Sequence, residues 1–252
     1  MNSVSRFSSR VNDYAKYRPG YPSDILKVLR SDCGLTETSL IADVGSGTGL
    51  LSEVFLNNGN RVFGIEPNEL MRKQAESTFE TASRFNSIEG RAESTSLSDE
   101  SVDFIVAGQA FHWFDRAAAR REFARILKPE GWVVLVWNAR KLESTEFLRA
   151  YEKLLLKYSA DYAAVRHENV ESELEQFFAP QRMFSATFDN VQHFQFASLQ
   201  GRFCSSSYTP DATSPVFGTM LAELKEIFDT HNENGFVGFE YDTKMFYGHL
   251  KD

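Results

Sequence analysis

Between Leu40 and Phe55 the chain passes from a short apolar run, through three alternating glycines, into an amphipathic segment, and that passage limits the folds open to it. Leu40-Ile41-Ala42-Asp43-Val44 reads as a strand, and Gly45-Ser46-Gly47-Thr48-Gly49 reads as a tight loop. The helix that follows repeats Leu50, Leu51, Val54 and Phe55 on one face before Gly59 stops it. Glycines in such a loop let the backbone approach a ligand and take positive φ, and the helix start offers unpaired N–H groups.

The same alternation continues to Trp137. A second strand, Arg61 to Ile65, ends at Glu66, and Asn68 is placed to cap a helix running to about Phe79 with Leu70, Met71 and Ala75 on its buried side. A weaker strand follows near Asn86 to Glu89, then a polar loop, then strand four from Val102 to Ala107. After Phe111-His112-Trp113-Phe114, Asp115 caps a helix ending at Leu127, and Lys128-Pro129-Glu130-Gly131 turns into strand five, Trp132 to Trp137. This predicts an α/β fold: a doubly wound, Rossmann-like, mostly parallel sheet. Beyond Asn138, helices over Glu146–Tyr158 and Glu171–Phe178 form an insertion. Met183 to Phe196 and Phe236 to Tyr247, flanking a helix near Thr219 to His231, predict an antiparallel hairpin at the sheet edge. The expected organisation is one domain over 1–252, with 1–34 a lid segment, 35–138 the ligand-binding core and 139–252 the insertion and edge strands.

Hydrophobic residues at 42% and charged residues at 25% are ordinary for a soluble globular chain. A net charge of −8 gives no global attraction to nucleic acid or anionic lipid. Cys33 and Cys204 lie far apart, and His167, His193, His231 and His249 sit in unrelated contexts, so no disulfide framework or metal is expected. The first twenty residues hold no apolar run of the secretory type, and no stretch approaches membrane-span length, which points to the cytoplasm.

Loop spacing narrows the ligand. The dinucleotide fingerprint requires a third glycine where Leu50 stands, and no Gly-Lys-Ser or Gly-Lys-Thr follows for a phosphate loop. Asp43 would repel a pyrophosphate and favour a cationic ligand. Glu66, closing strand two, is placed to accept the two hydroxyls of a ribose.

Asp43-Val44-Gly45-Ser46-Gly47-Thr48-Gly49 resembles the first motif of the class I S-adenosylmethionine-dependent methyltransferases. Glu66 resembles that family's ribose-binding acid, Gly90-Arg91-Ala92-Glu93 its adenine-contacting segment, and Leu127 to Gly131 its turn before strand five. Arg91 stands where aspartate is common, which leaves the Ala92 backbone as the expected adenine partner. Flanking segments are similar to trans-aconitate methyltransferase-like small-molecule enzymes: Phe7 with Tyr14 to Pro19, Gln109 to Asp115, and Ser205 to Pro210. The resemblance implies S-adenosylmethionine as cofactor. It is to be held by Tyr14, Tyr17, Arg18, Asp43, Gly45, Ser46, Gly47, Gly49, Glu66, Pro67, Ala92, Glu93 and Gln109. By spacing, Phe7, Val11 and Tyr14 fall on one face of an N-terminal helix, which is expected as a lid; the alternative is a simple hydrophobic staple.

His112, after strand four, is the candidate catalytic residue, to orient an acceptor or take its proton; the alternative is simple packing. Trp113 and Phe114 are expected mainly in the core. Arg18, Arg202 and Arg140 are candidates for an acceptor carboxylate, although an isolated arginine is more often a solvated charge. The predicted activity is methyl transfer to a small organic acceptor, at a carboxylate or hydroxyl oxygen, by direct displacement. A noncatalytic cofactor-binding regulatory module is the alternative, and RNA or protein methylation is disfavoured by the acidic balance. No nucleic acid or membrane partner is expected.

Overall fold

The computed structural model describes residues 16–158, 170–206, 209–210 and 213–251. In chain order the elements are α1 (Asp24–Cys33), β1 (Leu40–Val44), α2 (Leu50–Asn57), β2 (Arg61–Ile65), α3 (Glu69–Thr78), β3 (Phe85–Ile88) and β4 (Val102–Gly108). A single 3₁₀ turn (Phe111–Trp113) leads to α4 (Arg116–Ile126), β5 (Leu127–Arg140), α5 (Glu146–Tyr158), α6 (Val170–Phe178), β6 (Met183–Phe194), α7 (Phe196–Cys204), α8 (Phe217–His231) and β7 (Val237–Gly248). The strands form one sheet in the order β3-β2-β1-β4-β5-β7-β6. The first five are parallel, and β7 and β6 add antiparallel beyond β5, as the patterning predicts.

Central strands covered on both faces read as continuous apolar runs. Val133 to Val136 of β5 and Phe104 to Ala107 of β4 are accordingly buried without alternation. One face packs α4 and α6 through Phe111, Phe123, Phe177 and Phe178, with Phe111 and Phe177 edge to face at 4.9 Å. The other packs α1 and α2 through Ile25, Leu29, Leu51 and Phe55. Residues 24–33 are therefore core rather than part of a lid, while residues 1–15 of the expected 1–34 lid lie outside the described residues. Ile25, Leu26 and Leu29 share one helical face, and Leu35 N–H closes the helix end on Leu29 O at 3.0 Å.

Two further local readings change. β5 begins at Leu127 rather than Trp132, because the expected turn is absorbed as a bulge: the pairing steps from Val102–Leu127 to Phe104–Trp132. Asp103 fills the gap, accepting from Leu40 N–H at 2.7 Å and pairing with Lys128 Nζ at 2.8 Å. The stretch after β6 also forms an unanticipated helix, α7, with Leu199 and Phe203 fully buried.

The hairpin outruns the sheet. β5 pairs with β7 as far as Arg140–Tyr241, whereas β6 and β7 stay paired to Phe194–Val237. This overhang at the carboxyl end of the central strands carries a second core, in which α5, α7 and α8 pack Tyr151, Phe203 and Leu224 onto Phe239 and Tyr241. We call it the cap. Between cap and sheet runs a strap over residues 17–21. Its Tyr17 ring lies against Gly201 of α7, Arg18 Nη2 donates to Ser205 O at 3.1 Å, and the Tyr21 hydroxyl lies over Gly108 at the end of β4. Asn138 is the joint. Its Nδ2 donates to Gly20 O at 3.1 Å, while its Oδ1 accepts from Thr243 Oγ1 at 2.5 Å and Asn190 Nδ2 at 3.2 Å. Among the described residues no helix is long and apolar enough to cross a membrane.

Asn138 is 7% exposed, so truncating it strands several buried polar groups at once. Asn138→Ala should lower the unfolding free energy by about 2 to 3 kcal/mol in a urea titration. Asn190→Ala, at the more exposed end of the network, should cost less than about 1 kcal/mol. Equal losses in the two variants would show that the joint is not at Asn138.

Candidate functional site

In a doubly wound sheet the connections diverge where strand order reverses, leaving a crevice at the carboxyl ends. Here the reversal lies between β1 and β4, and the loop Gly45–Gly49 sits there. Gly45 takes φ +70°, and a Cβ on it would stand 2.7 Å from the Ala110 Cβ, so the glycine is required both by conformation and by the close approach of the segment after β4. Gly47 is different. It takes φ +56°, yet a Cβ on it would meet nothing within 4 Å among the described residues.

Two carboxylates face this turn. Glu66, 9% exposed, accepts from Gly47 N–H through Oε2 at 3.0 Å and from Asn68 N–H through Oε1 at 2.8 Å. Burial pushes its pKa up, against the opposing pull of those two N–H groups and the Arg72 charge. Each oxygen keeps lone-pair capacity for a further donor. Asp43, fully buried at the end of β1, accepts from Ser52 Oγ through Oδ2 at 2.6 Å, while Oδ1 has no hydrogen-bond partner among the described residues. Burial pushes its pKa up to about 7; Ser52 pulls it down and the Glu66 charge adds to the rise.

The remaining candidates surround this pair to different degrees. Ser46 N–H donates to Ile65 O at 3.1 Å, tying the loop to β2, and Asn68 caps α3 as its position predicts, with half-buried Pro67 between Glu66 and that cap. Ala92, 4% exposed, lies in a turn closed by reciprocal Arg91–Ser94 bonds of 3.0 Å, and Gly90 passes close to Ile65 of β2. Glu93 accepts from Asp115 N–H at 2.8 Å, so its carboxylate also braces the start of α4. Gln109 takes φ +53° and donates through Nε2 to Asn138 O at 3.3 Å, which ties the segment after β4 to the strap joint.

His112, half-buried in the 3₁₀ turn, lies two residues after Ala110, whose Cβ packs against Gly45, and its ring is 4.8 Å from that of Trp113. Phe114 packs into the core against Phe111 and Phe123, but Trp113 is 46% exposed, a correction to its core reading. In a 3₁₀ turn successive side chains fan to different sides, and Trp113 is on the outer one.

Tyr17 and Arg18 make the contacts with α7 given above, and Tyr14 lies outside the described residues, as do Phe7 and Val11 of the expected lid helix. Neither Arg140 nor Arg202 is a solvated surface charge. Arg140 pairs with Glu152 and lies 5.1 Å from the Tyr151 ring centre; Arg202, 4% exposed, donates to Ser206 Oγ at 2.8 Å. The sequence reading missed Ser52 and Arg72. The available signal for Ser52 was a lone serine on the apolar face of α2. Among the described residues no three His, Cys, Asp or Glu side chains gather as a metal site.

Residues 42–135 match a family described as a methyltransferase domain. An uncharacterized methyltransferase of Schizosaccharomyces pombe is 34% identical over 139 residues, covering 53% of this chain and 53% of that protein. One of Mycobacterium tuberculosis is 34% identical over 135 residues, covering 53% and 52%. The chain thus spans about half the length of the curated relatives it matches. Among solved structures, a provisional type II methyltransferase from Anaeromyxobacter dehalogenans superposes with a TM-score of 0.73 at 20% identity, covering 93% of this chain and 99% of that one. At that identity the likeness speaks for the fold.

The raised Asp43 pKa carries a stability consequence with a definite sign. A carboxyl whose folded pKa lies above its unfolded value stabilises the fold when protonated, and that contribution is lost as pH rises from about 4, where an unfolded aspartate ionises, to about 7. Asp43→Asn should therefore melt higher than the parent at pH 8, by about 1 to 3 kcal/mol, with the gap closing at pH 4. Calorimetric melts at the two pH values check this; a variant less stable at pH 8 would contradict the burial of an ionised group.

Proposed function

We propose that the chain is a class I S-adenosylmethionine-dependent methyltransferase, which binds S-adenosylmethionine across the Gly45–Gly49 loop and passes the methyl group to a small organic acceptor; the methyltransferase-domain match over residues 42–135 and the fold support this reading. The observation that carries this reading is the pair of buried carboxylates beside the glycine loop: Glu66 pinned by Gly47 and Asn68, and Asp43 with one oxygen unpartnered among the described residues. Two carboxylates at that position oppose a pyrophosphate and suit a ribose diol on a cationic amino acid, whose charge favours the ionised form of Asp43. The residues present fit the cofactor that the family and fold imply.

Glu66 is the ribose acceptor in this reading, its carboxylate held in one orientation by two backbone donors before any ligand arrives. The Ala92 turn offers backbone groups to adenine, and Asp43 offers its charge to the cationic end. When bound, the cofactor supplies an electrophilic methyl group on sulfur. What the protein adds is alignment and exclusion of water: the strap and cap wall the carboxyl ends of β4 and β5, and His112 stands after β4 to orient an acceptor oxygen or accept its proton. The finer likeness to trans-aconitate methyltransferase-like proteins, at Tyr14 to Pro19 and Gln109 to Asp115, supports a small acid. Arg18, which already donates to Ser205 O, and Arg202, which already donates to Ser206 Oγ, are then the first candidates for its carboxylate, with Arg140, paired with Glu152, behind them.

Calorimetry should show binding of S-adenosylmethionine and S-adenosylhomocysteine and none of NAD. Glu66→Ala should weaken the former by about 1 to 3 kcal/mol while leaving the fold intact. Tighter binding of NAD would reject the assignment.

Incubation with methyl-labelled cofactor and separate pools of organic acids, tRNA and protein tests the acceptor, with label expected in the acid pool. Label confined to macromolecules would reject the small-acid reading, and cofactor bound but never consumed would mark a noncatalytic module. His112→Gln should lower turnover by about tenfold to a hundredfold with cofactor affinity unchanged if the imidazole moves a proton. Unchanged turnover would leave it a packing residue.

A further inference from the structure

Ser52 is fully buried on the face of α2 that otherwise carries Leu51, Val54 and Phe55. A hydroxyl in such a place needs a partner, and it has one: Oγ donates to Asp43 Oδ2 at 2.6 Å, the short length of a bond to a charged acceptor. The Ser52 backbone N–H supports the same carboxylate. The other faces of Asp43 offer little. Its neighbours across the sheet are Gly64 on β2 and Val106 on β4, the charged group acting on it from the end of β2 is Glu66, and Glu53 on α2 is exposed.

We propose that Ser52 is a positioning residue for the cofactor site: its hydroxyl fixes the buried Asp43 carboxylate through Oδ2 and leaves Oδ1 as the acceptor for a cationic group of the ligand. A carboxylate without that donor is free to rotate at χ2 and is harder to ionise. Burial and Glu66 push Asp43 up, Ser52 pulls it down, and the balance falls at about 7. Removing the hydroxyl takes away part of the downward pull. A ligand that requires the charged carboxylate then loses affinity at low pH and recovers it once the pH exceeds the new titration point. The ligand half of this proposal rests on the proposed function; the titration half does not.

The test uses the full chain, its Ser52→Ala variant, and Asp43→Asn to assign the resonance. Carbon-13 NMR of the aspartate carboxyls in the ligand-free protein should place the Asp43 titration about one unit higher in Ser52→Ala than in the parent. Calorimetry with S-adenosylhomocysteine, which keeps the amino acid ammonium, should then show a pH-dependent loss. A one-unit rise from about 7 predicts roughly eightfold weaker binding at pH 6.5 and less than twofold at pH 9. A packing role would weaken binding equally at every pH, and that result, or an unmoved Asp43 titration, overturns the proposal. If the parent itself fails to bind S-adenosylhomocysteine, the proposed function is rejected, and the Ser52 assignment stands or falls on the titration alone.

Discussion

Two carboxylates end adjacent parallel strands, and the conformation of the surrounding segment follows from keeping both of them there. Neither Asp43 nor Glu66 can be buried beside apolar strands without donors. Glu66 takes its donors from Gly47 and Asn68, which obliges the loop to turn back over β2. Asp43 takes its donor from Ser52, which sets how α2 must start and rotate. α2 accordingly opens on Gly49 with no side-chain cap, so the dipole and N–H groups of its first turn are directed at the same small volume. Loop, helix start and strand ends form one unit because the charges bind them together.

The second core reinforces this from outside. An overhanging hairpin at the carboxyl end of a parallel sheet would expose apolar residues such as Phe239 and Tyr241, and α5, α7 and α8 cover them. That covering brings α7 over the strap, where Gly201 gives the Tyr17 ring room. The strap is tied by backbone oxygens to Asn138 and Asn190 and by Arg18 to Ser205, so residues 18–20 cannot lift without breaking several hydrogen bonds together. Those residues act as a wall.

The central unit was legible because its signals are local. A strand, a glycine loop, a helix of regular period and an Asn cap each sit within a dozen residues, and the paired strands only had to agree with them. What escaped depends on contacts distant in sequence or on loop shape. The Ser52–Asp43 bond exists only when the glycines adopt their left-handed turns. α1 looked like part of a lid because Ile25, Leu26 and Leu29 are too few to declare a core helix without the sheet beneath. α7 carries a mid-helix glycine that lowers helix propensity, and the reason for that glycine, Tyr17, lies far upstream. The Lys128–Gly131 turn kept its sequence signature but was drawn into β5 through Asp103, a residue of the neighbouring strand. Arg140 and Arg202 look like surface charges until the cap closes around them.

Selectivity at such a site comes from what the protein leaves unfinished. With Ser52 as its one side-chain donor among the described residues, Asp43 is only partly compensated, and burial pushes its pKa up to about 7. A cationic group beside Oδ1 would complete the compensation, so binding and ionisation favour each other, and the ligand gives back stability that the empty fold lacks. A neutral analogue would leave the oxygen as it was, and an anionic one would place like charge against two carboxylates that have already lost most of their water. Glu66 raises the stake, since its charge makes Asp43 harder to ionise and a positive ligand correspondingly more valuable to both. A preference for a cation over a phosphate-rich ligand would therefore not depend on a single contact. It follows from burying two acids within one turn of a glycine loop and supplying them with fewer donors than they can accept.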